Sequence, residues 1–137
     1  LLSELNKNLF NDFINSIKKC GFNSDDFCID GSFILSILGL REGRDLNFIC
    51  LDNNISFPNE ELKNHKEILK DNEINYTKED ILYNPNHHFL FNGIKCINLS
   101  ILKQIKLNRL NKANENSSNY EKDKKDLVLI DNYINKS

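Results

Sequence analysis

Several features that are common in proteins are missing from this sequence, and each absence narrows the possible functions. It contains no run of about 18 apolar residues and no secretory-signal pattern, so we expect neither a membrane span nor export. Neither sign of charge dominates, because the formal net charge is −2 over 137 residues. Long-range attraction to nucleic acid or to an anionic membrane is therefore not expected, and a small molecule or a protein is the favoured partner.

Paired cysteines and methionine are missing as well. Cys20, Cys28, Cys50 and Cys96 form no C-x-x-C pair, which argues against a structural zinc site. We expect buried free thiols and a cytoplasmic location. Because methionine is absent even at residue 1, we expect residues 1–137 to be a single domain of a longer polypeptide, with either a protein partner or a covalently linked neighbouring domain.

What is present is the composition of a globular domain, with 39% hydrophobic and 28% charged residues. Apolar periodicity predicts an amphipathic helix over 2–19, ended by Gly21. Asn92-Gly93 between two apolar runs predicts a type I′ hairpin over 88–97. Further predictions are strands at 27–29, 45–51 and 74–76, and helices at 33–39, from Pro58 to 71, after Thr77, at 100–109 and from 121, with a loop at 111–120. The expected fold class is α+β, a small mixed sheet of about four or five strands with flanking helices.

A recognisable chemical pattern begins at Gly31-Ser32, which connects a predicted strand to a predicted helix. Backbone N–H groups and a hydroxyl at such a turn are suited to phosphate. Asp45 and Asn47 follow on the next strand, and their side chains share one face because they lie two residues apart. Oxygen ligands in this arrangement could hold Mg²⁺ or Mn²⁺.

At these residues the chain resembles the DNA polymerase β-like nucleotidyltransferase superfamily. The resemblance is carried by Asp30-Gly31-Ser32, Gly39-Leu40-Arg41 and Arg44-Asp45-Leu46-Asn47-Phe48. Later segments are similar to small bacterial members found with surface-polysaccharide genes, so that residues 25–130 are covered; these segments are 84–89, 91–96, 102–106 and 122–126.

The resemblance implies a site and a reaction. Gly31 and Ser32 would bind phosphate, with Arg41, Arg44, Lys95 and Lys106 as further phosphate or nucleotide contacts. Asp45 and Asn47 would occupy the catalytic and metal-binding positions. The ligand would be a nucleotide or nucleotide-sugar with Mg²⁺ or Mn²⁺, and the reaction would be transfer of a nucleotidyl group to a small acceptor.

One departure from the family pattern limits this reading. Asn47 stands where active members carry a second acid, and an amide oxygen is a poorer ligand for Mg²⁺ than a carboxylate. The family's third carboxylate is also missing from 88–91 and 94–97. We therefore expect a degenerate member. The alternatives are a pseudoenzyme that serves as an interaction or scaffold domain, and an antitoxin-like partner.

Simpler structural roles compete with these assignments. Gly31-Ser32 is also typical of an ordinary helix start with Ser32 as N-cap, and Asp45 could pair with Arg41 or Arg44. A solvated helix face is the default for the basic group Lys95, Lys103, Lys106 and Arg109. Asp123 and Asp126 are predicted to compensate the dipole of the last helix.

Overall fold

The computed structural model describes residues 2–136, which form a mixed five-stranded sheet with six helices. This confirms the predicted α+β class. The helices are α1 (Glu4–Lys19), α2 (Phe33–Ile37), α3 (Ile68–Asp71), α4 (Lys78–Tyr83), α5 (Leu99–Lys112) and α6 (Ser118–Lys136). The strands are β1 (Cys28–Asp30), β2 (Leu46–Ile49), β3 (Leu62–Asn64), β4 (His88–Phe91) and β5 (Ile94–Ile97).

The sheet has the order β3-β2-β1-β5-β4, with β1 at its centre. β1 pairs antiparallel with β2 and parallel with β5. β3 adds in parallel to β2, and β4 adds antiparallel to β5. In this register Asp30 lies opposite Asn47, and Asn47 lies opposite Lys63. Three polar residues of adjacent strands therefore share one face of the sheet.

The opposite face of β2 is covered by aromatic residues. Phe48 packs against Phe13 of α1, with ring centroids 5.4 Å apart, and against Phe27 and Phe57. All four side chains are buried. Because successive side chains of a strand point to opposite faces, burying Phe48 under α1 directs Asn47 to the other side.

Two local predictions are confirmed, and in both cases the backbone conformation explains why. Asn92 and Gly93 have φ values of 50° and 80°, as a type I′ turn requires, and they join β4 to β5. At the end of α1, Gly21 has a φ of 75°, and the Phe22 amide donates to the Ile17 carbonyl. This is the bonding pattern of a Schellman motif.

Other boundaries were predicted wrongly. The helix expected from Pro58 to 71 is replaced by β3 and the four-residue helix α3, because Leu62 pairs with Leu46 at the sheet edge. The strand expected at 74–76 does not form. The predicted loop at 111–120 is shorter, since α5 extends to Lys112 and α6 starts at Ser118.

Three of the four cysteines, Cys28, Cys50 and Cys96, are buried free thiols as expected, whereas Cys20 is exposed. None of the helices in residues 2–136 is long and apolar enough to cross a membrane.

Candidate functional site

The Gly31–Ser32 turn lies at the end of the central strand β1. Gly31 has a φ of +69°, and an ideal Cβ built on it would lie 2.7 Å from Nδ2 of Asn47. Glycine is therefore required here both by backbone conformation and by the closeness of Asn47. Ser32 stands at the N-cap of α2, but its side chain makes no capping hydrogen bond. Its hydroxyl lies instead within reach of two charged side chains, those of Asp126 and Lys106.

These contacts place Ser32 above a buried charge cluster. The Ser32 hydroxyl donates to Asp126 Oδ2 at 3.3 Å and accepts from Lys106 Nζ at 3.2 Å. Arg41 donates to both carboxylate oxygens of Asp126, at 2.7 and 2.9 Å. Lys106 Nζ also donates to Asp126 Oδ2 at 2.9 Å, and both of these side chains are only about 1% exposed. The side chains of α5, α6 and the 39–45 loop thus hold the hydroxyl in place.

The cluster continues along α5 and α6. The Arg109 guanidinium donates two hydrogen bonds of 2.7 Å to the Asp123 carboxylate, and Lys106 Nζ lies 3.5 Å from Asp123 Oδ1. The expectation that Asp123 and Asp126 compensate a helix dipole is wrong, because both are buried and paired with cations from other segments. The solvated-face interpretation of Lys106 is wrong for the same reason.

These pairings shift the acid–base behaviour of the cluster. Burial raises the pKa of Asp126, but the hydrogen bond from Arg41 and the charge of Lys106 outweigh it, so the pKa falls from 3.8 to about 2. The hydrogen bond to Asp123 raises the pKa of Arg109. Desolvation lowers the pKa of Lys122, and the positive charges of Arg41 and Lys106 lower it further. These shifts are the ones expected for charged groups that are buried and paired with one another.

Asp45 and Asn47 share a face as predicted, but a lysine accompanies them. Lys63 Nζ lies 3.0 Å from Asp45 Oδ2. Asp45 pairs with this residue of β3, not with Arg41 or Arg44 as the simpler sequence interpretation expected. Asn47 Oδ1 is buried and has no hydrogen-bond partner within residues 2–136.

This donor set does not fit a two-metal centre. Two Mg²⁺ ions need several carboxylate oxygens between them, whereas here Asp45 is paired with an ammonium group in a half-exposed contact and the second position is an amide. Across residues 2–136, no group of three or more His, Cys, Asp and Glu side chains is arranged to hold a metal ion. Lys63 lies opposite Asn47 on the neighbouring strand and supplies positive charge beside Asp45.

An open cleft of about 980 Å³ collects most of the predicted site residues. Ser32, Arg41, Arg44, Asp45 and Asn47 line one side of it, and α6 supplies Lys122 and Lys125. Gly31 and Lys106 line a smaller cavity that adjoins the cleft. Of the predicted set, Lys95 lies elsewhere. Its Nζ donates to the carbonyls of Asp25 and Leu82, both at 2.7 Å.

Asp30 and His65 are among the site residues that were given no role from the sequence. Asp30 is fully buried, and its Oδ2 lies 3.0 Å from Nδ1 of His65. Burial lowers the pKa of His65, but the charge and hydrogen bond of Asp30 prevail and raise it above 6.5. His65 follows β3, so only the strand pairing that the sequence interpretation missed brings it to Asp30.

A signal for the charge cluster did exist. Lys106 and Arg109 are three residues apart on α5, and Asp123 and Asp126 are three apart on α6. Residues at that spacing share a helix face. Matching opposite pairs on two consecutive helices favour ion pairing between the helices, but the spacing does not report that these side chains are buried.

No protein-family model matches this sequence, and comparisons with curated proteins and with solved structures found no significant match.

Proposed function

We propose that this chain is a degenerate nucleotidyltransferase-like domain that binds a nucleotide or nucleotide-sugar in the cleft beside the Gly31–Ser32 turn. The observation that carries the proposal is that the cleft holds three cations unpaired within the described part of the chain, while two of its three acidic residues, Asp45 and Asp126, are paired with Lys63 and Arg41. Arg44, Lys122 and Lys125 line it, and no ion pair involves them within residues 2–136. Unpaired guanidinium and ammonium groups facing one cleft favour a ligand with several negative oxygens.

The cleft also has the dimensions and polarity of a nucleotide site. Its volume of about 980 Å³ lies at the upper end of the roughly 300–1,000 Å³ that small-molecule pockets span. Val128 and Leu129 add apolar surface beside the cations. Such a surface suits a base or sugar next to its phosphates.

The Asp45–Lys63 pair favours binding over group transfer. A metal ion at Asp45 would have to displace the Lys63 ammonium, 3.0 Å away, and Asn47 offers no compensating charge. We infer that the lysine neutralises the aspartate in the place where the resembling enzymes use a divalent cation. Any divalent ion would then act through the ligand's phosphates and not as a resident pair.

The direct test is a calorimetric and thermal-shift screen of the four ribonucleoside triphosphates and common nucleotide-sugars, with and without Mn²⁺. A ligand present at 100 times its dissociation constant should stabilise the fold by about 2.7 kcal/mol. Lys122→Ala and Lys125→Ala should weaken binding, whereas Lys124→Ala, on the same helix but outside the cleft lining, should not. Equal affinities for the three variants would place the phosphates elsewhere.

A second experiment addresses the metal. Combining Asn47→Asp with Lys63→Ala places two carboxylates on one strand face and removes the competing ammonium. The double variant should bind Mn²⁺ more tightly than the natural sequence, as measured by calorimetry. If the natural sequence already binds Mn²⁺ as well as the double variant does, the inference about Lys63 is wrong.

The inactive interaction domain remains the second candidate, and the same Asp45–Lys63 pair favours it. In that case nucleotides would bind neither the natural sequence nor the double variant. Asp45→Ala would then leave partner capture unchanged while its circular dichroism spectrum stayed native.

A further inference from the structure

A small cavity lies behind the Gly31–Ser32 turn, between the ends of β1 and β2 and helix α5. Its volume is about 90 Å³, and Ser32, Asn47 and Lys122 line both this cavity and the cleft. The two spaces therefore adjoin. The cavity is about three times the ~30 Å³ that one water molecule occupies in the liquid. It can take one polar edge of a ligand but not a whole sugar ring.

Two acceptor oxygens of this cavity lack donors. Asp30 and Asn47 both line it, and they face each other across the β1–β2 pair. Asp30 is 0% exposed, and its Oδ1 has no hydrogen-bond partner within residues 2–136; the same holds for Asn47 Oδ1. Buried oxygens without donors are unfavourable, so this cavity is suited to a group that donates hydrogen bonds.

The surrounding charges decide what kind of donor fits. A metal ion or ammonium group is disfavoured, because Lys106, Arg109 and Lys122 already line the cavity. A phosphate carries negative charge of its own and would be repelled by the buried Asp30 carboxylate. A neutral hydroxyl satisfies both conditions, because it donates to a carboxylate without adding charge.

We propose that this cavity is a hydroxyl subsite of the nucleotide cleft. Asp30 and Asn47 accept hydrogen bonds from neighbouring hydroxyls of a sugar, while the phosphates of the same ligand lie against Arg44, Lys122 and Lys125. This inference rests on the proposed nucleotide binding and adds the part of the ligand that is recognised. The shared chemistry is a sugar diol, which either the ribose or an attached hexose of a nucleotide-sugar provides.

The test compares hydroxyl-deleted ligands by calorimetry on the full chain. The probes are the ribonucleoside triphosphate that binds most tightly in the screen, its 2′-deoxy and 3′-deoxy analogues, and the matching nucleoside diphosphate with and without attached glucose. Loss of a hydrogen bond to a charged group predicts about tenfold to a hundredfold weaker binding. A loss with the deoxy analogues identifies the ribose as the source, and a gain from the attached glucose identifies the hexose.

Variants of the cavity residues test whether the lower affinity for hydroxyl-deleted ligands arises in this cavity. Asp30→Asn should reduce the discrimination, because an amide oxygen accepts a weaker hydrogen bond than a carboxylate, whereas Asp131→Asn, a surface change on α6, should retain it in full. If Asp30→Asn does not fold by circular dichroism, Asn47→Leu, which removes the second acceptor at similar size, takes its place.

Three outcomes overturn the subsite. One is equal affinity for all analogues, and another is discrimination that is unchanged in the folded cavity variant. The third is the absence of binding by every nucleotide, which refutes nucleotide binding itself. The first two leave nucleotide binding intact, so the two failures are distinguishable.

Discussion

Removing the Asp126 carboxylate should cost more stability than any comparable change on the surface. The side chain is 1% exposed, accepts two hydrogen bonds from Arg41 and contacts Lys106 Nζ at 2.9 Å. In Asp126→Asn the buried Lys106 and the partly buried Arg41 lose their shared anion. Breaking one partner out of a buried pair costs about 3–5 kcal/mol.

The pKa provides a second estimate of the same quantity. A fall from 3.8 to about 2, at about 1.4 kcal/mol for each tenfold change in proton affinity, corresponds to roughly 2 kcal/mol. Because the folded-state pKa lies below the unfolded value, this stabilisation is present above pH 4 and is lost as the pH falls toward 2. We expect Asp126→Asn to lower the free energy of unfolding by about 3 kcal/mol at pH 7, and by less near pH 2.

The assay is equilibrium unfolding in urea followed by circular dichroism, from pH 7 down to pH 2. Asp131→Asn is the matched control, because Asp131 lies on the same helix as Asp126 and forms a half-exposed pair with Lys103 of α5. Such pairs contribute about 0–1 kcal/mol. The reasoning is refuted if both variants lose the same stability. It is also refuted if the loss caused by Asp126→Asn is the same at pH 2 as at pH 7.

Two further predictions concern the turn and the acid–histidine pair beside it. Gly31→Ala should destabilise the fold by about 2–3 kcal/mol, because the new side chain would combine a positive φ with a clash against Asn47 Nδ2. Gly21→Ala is the control, since Gly21 has a similar φ but faces open space, and it should cost about 1 kcal/mol. Equal shifts in Tm for the two variants would contradict the clash. The raised pKa of His65 means that its ion pair with Asp30 stabilises the fold fully below pH 6.5, and that this contribution is lost as the pH rises through the folded-state pKa. Comparing the pH dependence of unfolding for the natural sequence and for His65→Asn tests this, and identical profiles from pH 6 to 9 would refute it.

The sequence predictions were correct where a structural feature depends on a few neighbouring residues, and they failed where it depends on contacts between distant segments. The hairpin at Asn92-Gly93 and the end of α1 at Gly21 were predicted correctly, because positive φ is a property of the turn residues themselves. The helix predicted from Pro58 to 71 failed, because three residues of β3 are too few for a periodic signal. Only pairing with β2 makes them a strand.

In the candidate site, too, the local arrangement was predicted from the sequence and the long-range contacts were not. The sequence placed Gly31, Ser32, Asp45 and Asn47 close together, because one strand, one turn and the next strand connect them over a short stretch. It did not reveal the Lys63 ammonium beside Asp45, since that contact depends on the position of β3 in the sheet.

By itself, the sequence determined the α+β class, the hairpin, the first helix and the order of elements around the Gly-Ser turn. These follow from side-chain periodicity and from the backbone preferences of single residues, which act over a few positions. Only the tertiary structure decided that Asp126 is a buried ion-pair partner of Arg41, 85 residues away along the chain, and that Asp30 meets His65. Charge pairing and burial act through space, so one-dimensional spacing cannot report which distant partner a side chain will find.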